Sequence, residues 1–391
     1  MNAIAFVWGS TTLYWPGFVI ALAVAAACLM ALGLRRWQGR SLTELLLVLP
    51  LAIILSFFLC RMLHWYCHDR QYAGFAAAMT DFSVGSFSLV GAFFAAIAAA
   101  VLLRLLRVCR DLGGMLDVLA VSGAFGIGIG RFSALFNSFD RGKIVFSSPN
   151  MQGLPWSTPM TDALGNVEWR AAVFCWEGIA ALLLCAVLLV LFFRGRRRDG
   201  ELFWLFLALY GAAEVLLDST RYDSSFLRSN GFVSLVQIVG AVSMLCALAV
   251  FSVGCIRRRG LRWQSILRWV LWLAGLGLVG YMEYYVQRHG DLYVMCYNLM
   301  ALGLCLSAAM IVWTLLDGGA PAAKAPPAPA DEPAPFAEPA AEPEPAPAPV
   351  PMSAPVAVSS KPVTAEDFEL DNILADFHAM ELPSPGSTND Q

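Results

Sequence analysis

About nine apolar runs of the length that crosses the hydrocarbon core of a bilayer, the sixth of them short and the fourth interrupted by glycine, divide the first 316 residues of this chain. They are Trp15 to Leu34, Leu42 to Leu63, Val84 to Leu106, Met115 to Phe136, Ala171 to Phe193, Leu202 to Leu217, Phe232 to Val253, Ile266 to Val286 and Leu292 to Leu316. Backbone amides in lipid have no water to bond, so such runs must close their hydrogen bonds within a helix. The predicted fold class is therefore all-α, a polytopic membrane helix bundle. Composition agrees: 58% of residues are hydrophobic and 14% charged, with mean hydropathy +0.64, where a soluble domain is about half apolar and a quarter charged.

Arginines collect after the first, third, fifth and seventh runs, at Arg35/Arg36/Arg40, Arg104/Arg107/Arg110, Arg194/Arg196/Arg197/Arg198 and Arg257/Arg258/Arg259/Arg262. Positive loops stay in the cytoplasm, which predicts an N-terminus outside and a C-terminal tail inside. The opening MNAIAFVWGSTTLYW has neither a basic n-region nor a small-residue cleavage site, so an uncleaved start is expected.

Past Leu316 the chemistry changes to a Pro/Ala/Glu tract, AKAPPAPADEPAPFAEPAAEPEPAPAPVP, which reads as a disordered, semi-extended spacer. Residues 318–391 hold 12 acids and two lysines, leaving 17 acids and 24 bases for the membrane part. The whole-chain charge of −3 thus conceals a membrane part near +7. Within the tail, VTAEDFELDNILADFHAMEL places Leu370, Ile373, Leu374 and Phe377 at i, i+3, i+4 and i+7, with a capping-box-like start at Thr364 and Asp367. This predicts a short amphipathic helix near 364–381 that docks on a cytoplasmic protein. The ten cysteines sit mostly mid-run, as at Cys28, Cys175, Cys185, Cys246 and Cys305, and are expected to pack as small apolar groups.

Charges inside the runs mark the candidate site. In GIGIGRFSALFNSFDRG (126–142), Gly126 and Gly130 form a small-xxx-small pair suited to close helix approach, which leaves Arg131 unexplained. A guanidinium at the lip of a membrane cavity suits a phospholipid phosphate, although an arginine there could also simply snorkel to the surface. In GELFWLFLALYGAAEVLLDSTRYD (200–223), Tyr210, Glu214, Asp218 and Arg221 lie at i, i+4, i+8 and i+11, one stripe of a helix. That stripe fits either a polar cavity or an internal ion-pair cluster holding helices together. Glu177, in AAVFCWEGIAALLLC, is a lone intramembrane carboxylate that should face the bundle interior. In HWYCHDR, His64 and His68 are one turn apart, but no second ligand cluster accompanies them, and no metal is expected.

Taken in order, GSFSLVGAF, GIGIGRFSALFNS, FCWEG, GELFWLFLALYG…TRYD and GFVSLVQIVG resemble the bacterial prolipoprotein diacylglyceryl transferase family across roughly residues 14 to 253. The resemblance implies a seven-helix core in the bacterial plasma membrane. It also implies transfer of the diacylglyceryl group of phosphatidylglycerol to the lipobox cysteine of a prolipoprotein, carried into the site on its signal peptide, with glycerol phosphate released. It implies the division 1–255 transferase-like domain, 256–317 added helix pair and 318–391 tail, with no cofactor and no nucleic-acid partner. The family's essential arginine falls on Arg131, its second asparagine on Asn137, its sixth-helix tyrosine on Tyr210, its later arginine on Arg221, and its Gln-Leu-Tyr-Glu glutamate on Glu177; Asp218 stands for a glutamate. Other positions depart. The family histidine falls on Val90, the signature's first asparagine on Ala134, its terminal acid on Phe139 with Asp140 next, an N-terminal tyrosine on Pro16, and the arginine after Tyr210 on Glu214. The expected site is therefore Arg131 and Arg221 gripping phosphate, Tyr210, Asn137 and Glu177 binding substrate, and Asp218 or Glu214 as substitute base. The alternative is a catalytically silent relative that binds phospholipid or lipoprotein precursors as a scaffold.

Overall fold

The apolar runs fold as helices, and in most cases polar flanking residues are drawn into the helix as well. The computed structural model describes residues 4–9, 11–80, 87–161, 165–195, 198–227, 230–289 and 292–319. Among them are helices α1 (Trp15–Trp37), α2 (Leu42–Cys67), α3 (Phe75–Thr80), α4 (Leu89–Leu105), α5 (Leu112–Arg131), α6 (Val173–Arg194), α7 (Glu201–Ser219), α8 (Leu235–Arg259), α9 (Trp263–His289) and α10 (Tyr293–Gly319). Eight of these are long and apolar enough to cross a membrane. The 17-residue α4 is shorter and equally apolar, and it packs along α2. The chain is an all-α multi-pass membrane protein. The amphipathic stretch 364–381 and its spacer lie outside the described residues.

Element boundaries differ from the apolar runs where a polar group decides them. Helix α5 begins at Leu112 because the Asp111 side chain accepts from the Gly114 amide at 3.0 Å. It ends at Arg131 in a tight turn over Phe132–Phe136. Ala171 and Phe232 leave the helices for strands. Three antiparallel hairpins, β1 (Ile4–Trp8) with β2 (Thr11–Tyr14), β3 (Ser157–Thr161) with β4 (Val167–Ala171), and β5 (Phe226–Leu227) with β6 (Asn230–Ser234), were not anticipated from the sequence. Their short strands carry no helix-period pattern and hardly any period-2 one.

Arginine loops at one end of the bundle are cross-linked. Arg35 bonds Glu44 at 2.8 Å and Asp111 at 3.0 Å; Arg40 pairs with Asp111 and, at 2.8 Å, with Asp199. Buried Asp117 of α5 accepts from the Gly200 and Phe203 amides, both at 2.9 Å. It thereby caps α7 from a neighbouring helix and satisfies two of the amides that a helix start leaves open. This fixes α7 against α5 at one end, and their other ends carry the site.

Close approach does the rest, because apolar side chains gain little by leaving lipid and packing must supply the contact energy. A Cβ on Gly128 would stand 2.6 Å from the Leu182 side chain, and one on Gly178 would stand 3.1 Å from the Gly128 carbonyl. Glycine at both positions lets α5 and α6 touch one turn from Arg131 and directly beside Glu177. Between α7 and α8, Gly211 and Gly240 meet in the same way, a Cβ on either falling within 2.9 Å of the other's carbonyl. Phe93 of α4 stacks on Phe206 and Tyr210 of α7, with centroids 5.4 and 6.0 Å away. A second buried cluster, including Val215, Met244, Leu248, Trp272, Met300 and Ile311, joins α9 and α10 to α7 and α8.

Candidate active site

Arg131 is the last residue of α5, so its side chain leaves the helix where the chain turns back over the bundle. The turn is built locally: the Asn137 side-chain oxygen accepts from the Phe139 amide at 2.9 Å, and Asp140 takes a left-handed φ of 58°. Aspartate is among the few side chains that tolerate this region, at some conformational cost. The next residues are pinned across the end of α7. The Lys143 amide donates to the Thr220 carbonyl at 2.8 Å, and the Tyr222 amide donates to the Arg141 carbonyl at 2.8 Å. Asp140 is thereby held between the end of α5 and the end of α7.

The result is a network of two arginines and five acids. Arg131 Nη2 donates to both oxygens of Glu214, at 3.2 and 3.3 Å, while its Nη1 lies 3.0 Å from Glu177 and 3.3 Å from Asp140. Arg221 pairs with the other oxygen of Asp140, with Asp223 at 3.2 Å, with Glu177 at 3.6 Å and with Asp218 at 3.9 Å. Glu177 and Asp140 therefore each bridge both arginines. Glu177, Glu214 and Asp218 are buried, and both guanidinium groups are nearly so. Arg131 does not snorkel: it points into the protein. A third cation, Arg141, is buried beside them, donating from Nη2 to the Ala134 and Asn137 carbonyls and lying over the Phe174 ring at 4.7 Å.

The electrostatics can be read at the groups in the loops. Burial alone would raise the Asp140 carboxyl, but Arg221 and then Arg131 outweigh it and hold it below the usual aspartate range. Burial would lower Arg221, and Asp140 with Glu177 outweighs that to raise it, so Arg221 is a permanent cation.

The prolipoprotein diacylglyceryl transferase sequence profile matches residues 3–253, close to two thirds of the chain and every residue of the network. The chain belongs to the prolipoprotein diacylglyceryl transferase family. Among its relatives is the phosphatidylglycerol–prolipoprotein diacylglyceryl transferase of Clostridium kluyveri, 23% identical over 256 residues, covering 64% of this chain and 96% of the relative. The enzymes of that name from Parasynechococcus marenigrum and Limosilactobacillus reuteri are each 28% identical, over 277 and 261 residues. They cover 66% and 64% of this chain and 94% and 91% of their own length. The profile ends within α8, so α9 and α10 lie beyond the family match.

Within this member, the expected residues Arg131, Glu177, Glu214, Asp218 and Arg221 come together in one network. Tyr210 lies one turn from Glu214, buried and stacked on Phe206 at 5.3 Å. Asn137 shapes the loop through its side chain rather than joining the ion pairs. Val90, where the resemblance puts histidine, is buried on α4 one turn from Phe93. Asp223 and Arg141 were not singled out from the sequence, and Asp140 was noticed only as a neighbour of a missing acid. Their signal is the flanking acids and bases in NSFDRG and TRYD, which gain meaning only once the loop folds back. His64 and His68 stack ring on ring with centroids 4.3 Å apart. Five of the ten cysteines, Cys60, Cys109, Cys185, Cys255 and Cys296, are buried.

Proposed function

We propose that this chain transfers the diacylglyceryl group of phosphatidylglycerol to the lipobox cysteine of a prolipoprotein. The observation that carries the reading is the pair Arg131 and Arg221, held on the ends of neighbouring helices with Asp140 and Glu177 between them. Two fixed guanidinium groups at a membrane edge suit a phosphate that must be gripped while its ester bond to the glyceryl carbon breaks. In the reaction the thiol sulfur forms a bond to that carbon. The carbon–oxygen bonding pair passes to the phosphate oxygen, glycerol phosphate leaves, and the thiol proton goes to a base. Glu214 and Asp218 are the candidate bases, Glu177 and Tyr210 line the place where the glyceryl group would lie, and Asn137 supports the loop. Because each arginine is engaged by carboxylates, phosphate enters by displacing one of them, and the displaced carboxylate is then free to take the thiol proton.

One observation favours a second reading. Glu214 engages both of its oxygens on Arg131, at the position where the resemblance expects a cation, and Val90 offers no proton acceptor. On that reading the chain binds phospholipid or prolipoprotein and turns nothing over. Complementation of a transferase-depleted strain separates the two. Growth with mature lipoproteins is expected, and failure by a well-expressed, correctly inserted chain would leave the silent relative.

A further inference from the structure

Arg221 lies beyond the last turn of α7, after the Thr220 cap, so its position depends on how that end of the helix is held. Some of the holding groups come from α9 and α10, outside the family match. The Ser219 hydroxyl donates to the carboxylate of Glu283, a buried acid of α9. Gln287 Nε2 donates to the other Glu283 oxygen at 2.6 Å. The Ser219 carbonyl accepts from Tyr297 of α10 at 3.4 Å and from Lys143 of the overlying loop at 2.8 Å. Ser219 directly follows Asp218, whose own carboxylate accepts from the Ser234 hydroxyl at the start of α8.

A carboxylate on an apolar helix is costly to bury and is retained where its partners repay the loss of water. Here both oxygens of Glu283 are bonded, and one bond is spent on the residue next to Asp218. The helix pair is itself close-packed: a Cβ on Gly275 would fall 2.7 Å from the Gly303 carbonyl, and Ser307 donates to that carbonyl at 2.9 Å. It is thus a firm support for the α7 end. At the opposite end, Asp317 of α10 pairs with Arg268 at 2.7 Å and with Arg259, far along the helix from Ser219.

We infer that α9 and α10 are a bracket for the active site, with Glu283 a positioning residue that acts through Ser219 to set Arg221 for the phosphate of the anionic lipid. This rests on the transferase reading above. The test uses the full chain in phosphatidylglycerol-containing nanodiscs, comparing Glu283→Ala, Glu283→Gln and the opposite-end control Asp317→Asn. Glu283→Ala is expected to raise KM for phosphatidylglycerol about ten-fold with kcat within about two-fold, the loss of one hydrogen bond to a charged group. Glu283→Gln keeps an acceptor for Ser219 and should restore most of the loss, while Asp317→Asn should leave KM unchanged. Amide exchange over residues 217–222 should accelerate in Glu283→Ala alone. Unchanged exchange there, or a fall in kcat at constant KM shared by Asp317→Asn, overturns the inference. A wild-type chain without transferase activity would overturn the transferase reading instead. The exchange data and phosphatidylglycerol retention by native mass spectrometry would still decide for or against the bracket.

Discussion

Arg131 is what a membrane helix retains only for a reason, and its surroundings define that reason as an interior one. Glu214, Glu177 and Asp140 each reach a different part of its guanidinium or share an edge of it, so lysine, with one compact charge, cannot keep all three contacts. The stripe Tyr210, Glu214, Asp218 was legible because helical spacing alone puts these residues on one face. Arg221 was legible as part of that stripe although it lies past the helix end, where the turn at Thr220 carries it round. Asp140 was not legible, since its role is created by a fold-back that no local pattern encodes. It also gives the site a pH signature. Its carboxyl is held below the usual aspartate range by Arg221 and Arg131, against burial, so its contribution to stability is complete above about pH 4 and is lost as pH falls through the depressed folded value. Asp140→Asn should cost about 1.5–3 kcal/mol at pH 7 and flatten the acid side of the thermal-stability profile in detergent. An acid limb identical to wild type would show that the carboxylate is not held by the arginines.

Helices were the most readable elements, because lipid leaves the backbone no other choice. Their ends were less so: α5 starts where Asp111 caps it and α6 starts only after strand β4 has placed the chain. The buried Asp117 illustrates what one helix at a time cannot disclose, since its partners are the first amides of α7, 83 and 86 residues on. Asp117→Ala should leave those amides without acceptors and cost about 2 kcal/mol or more, with Asp117→Asn milder because one acceptor remains. Thermal unfolding of the detergent-purified chain measures this. A loss below about 0.5 kcal/mol in the alanine variant would mean that water already serves those amides.

At the scale of the whole molecule, the chain joins a family core to two added helices, and charge separates its ends. The linked arginine loops around Arg35, Arg40 and Asp111 lie at one end of the bundle, and Arg131 is the last residue of a helix whose first turn lies among those loops. The arginine pattern predicts that residues 257 to 262 face the cytoplasm and that the loop from Asn137 to Trp169 faces outward. Impermeant thiol labelling of single-cysteine variants in intact cells should therefore modify the 137–169 loop and spare 257–262, and the reverse pattern would invert the topology. The central claim, that the arginine pair serves diacylglyceryl transfer, is tested most directly by thioether formation on a lipobox peptide. The assay uses purified chain in phosphatidylglycerol nanodiscs, comparing wild type, Arg131→Lys and Arg131→Ala. The account predicts turnover by wild type, a partial loss in Arg131→Lys, and a loss of roughly ten- to a hundred-fold in Arg131→Ala, the worth of a hydrogen bond to a charged group. Wild-type turnover in Arg131→Ala, or no turnover in any form including Val90→His with Glu214→Arg, would contradict it.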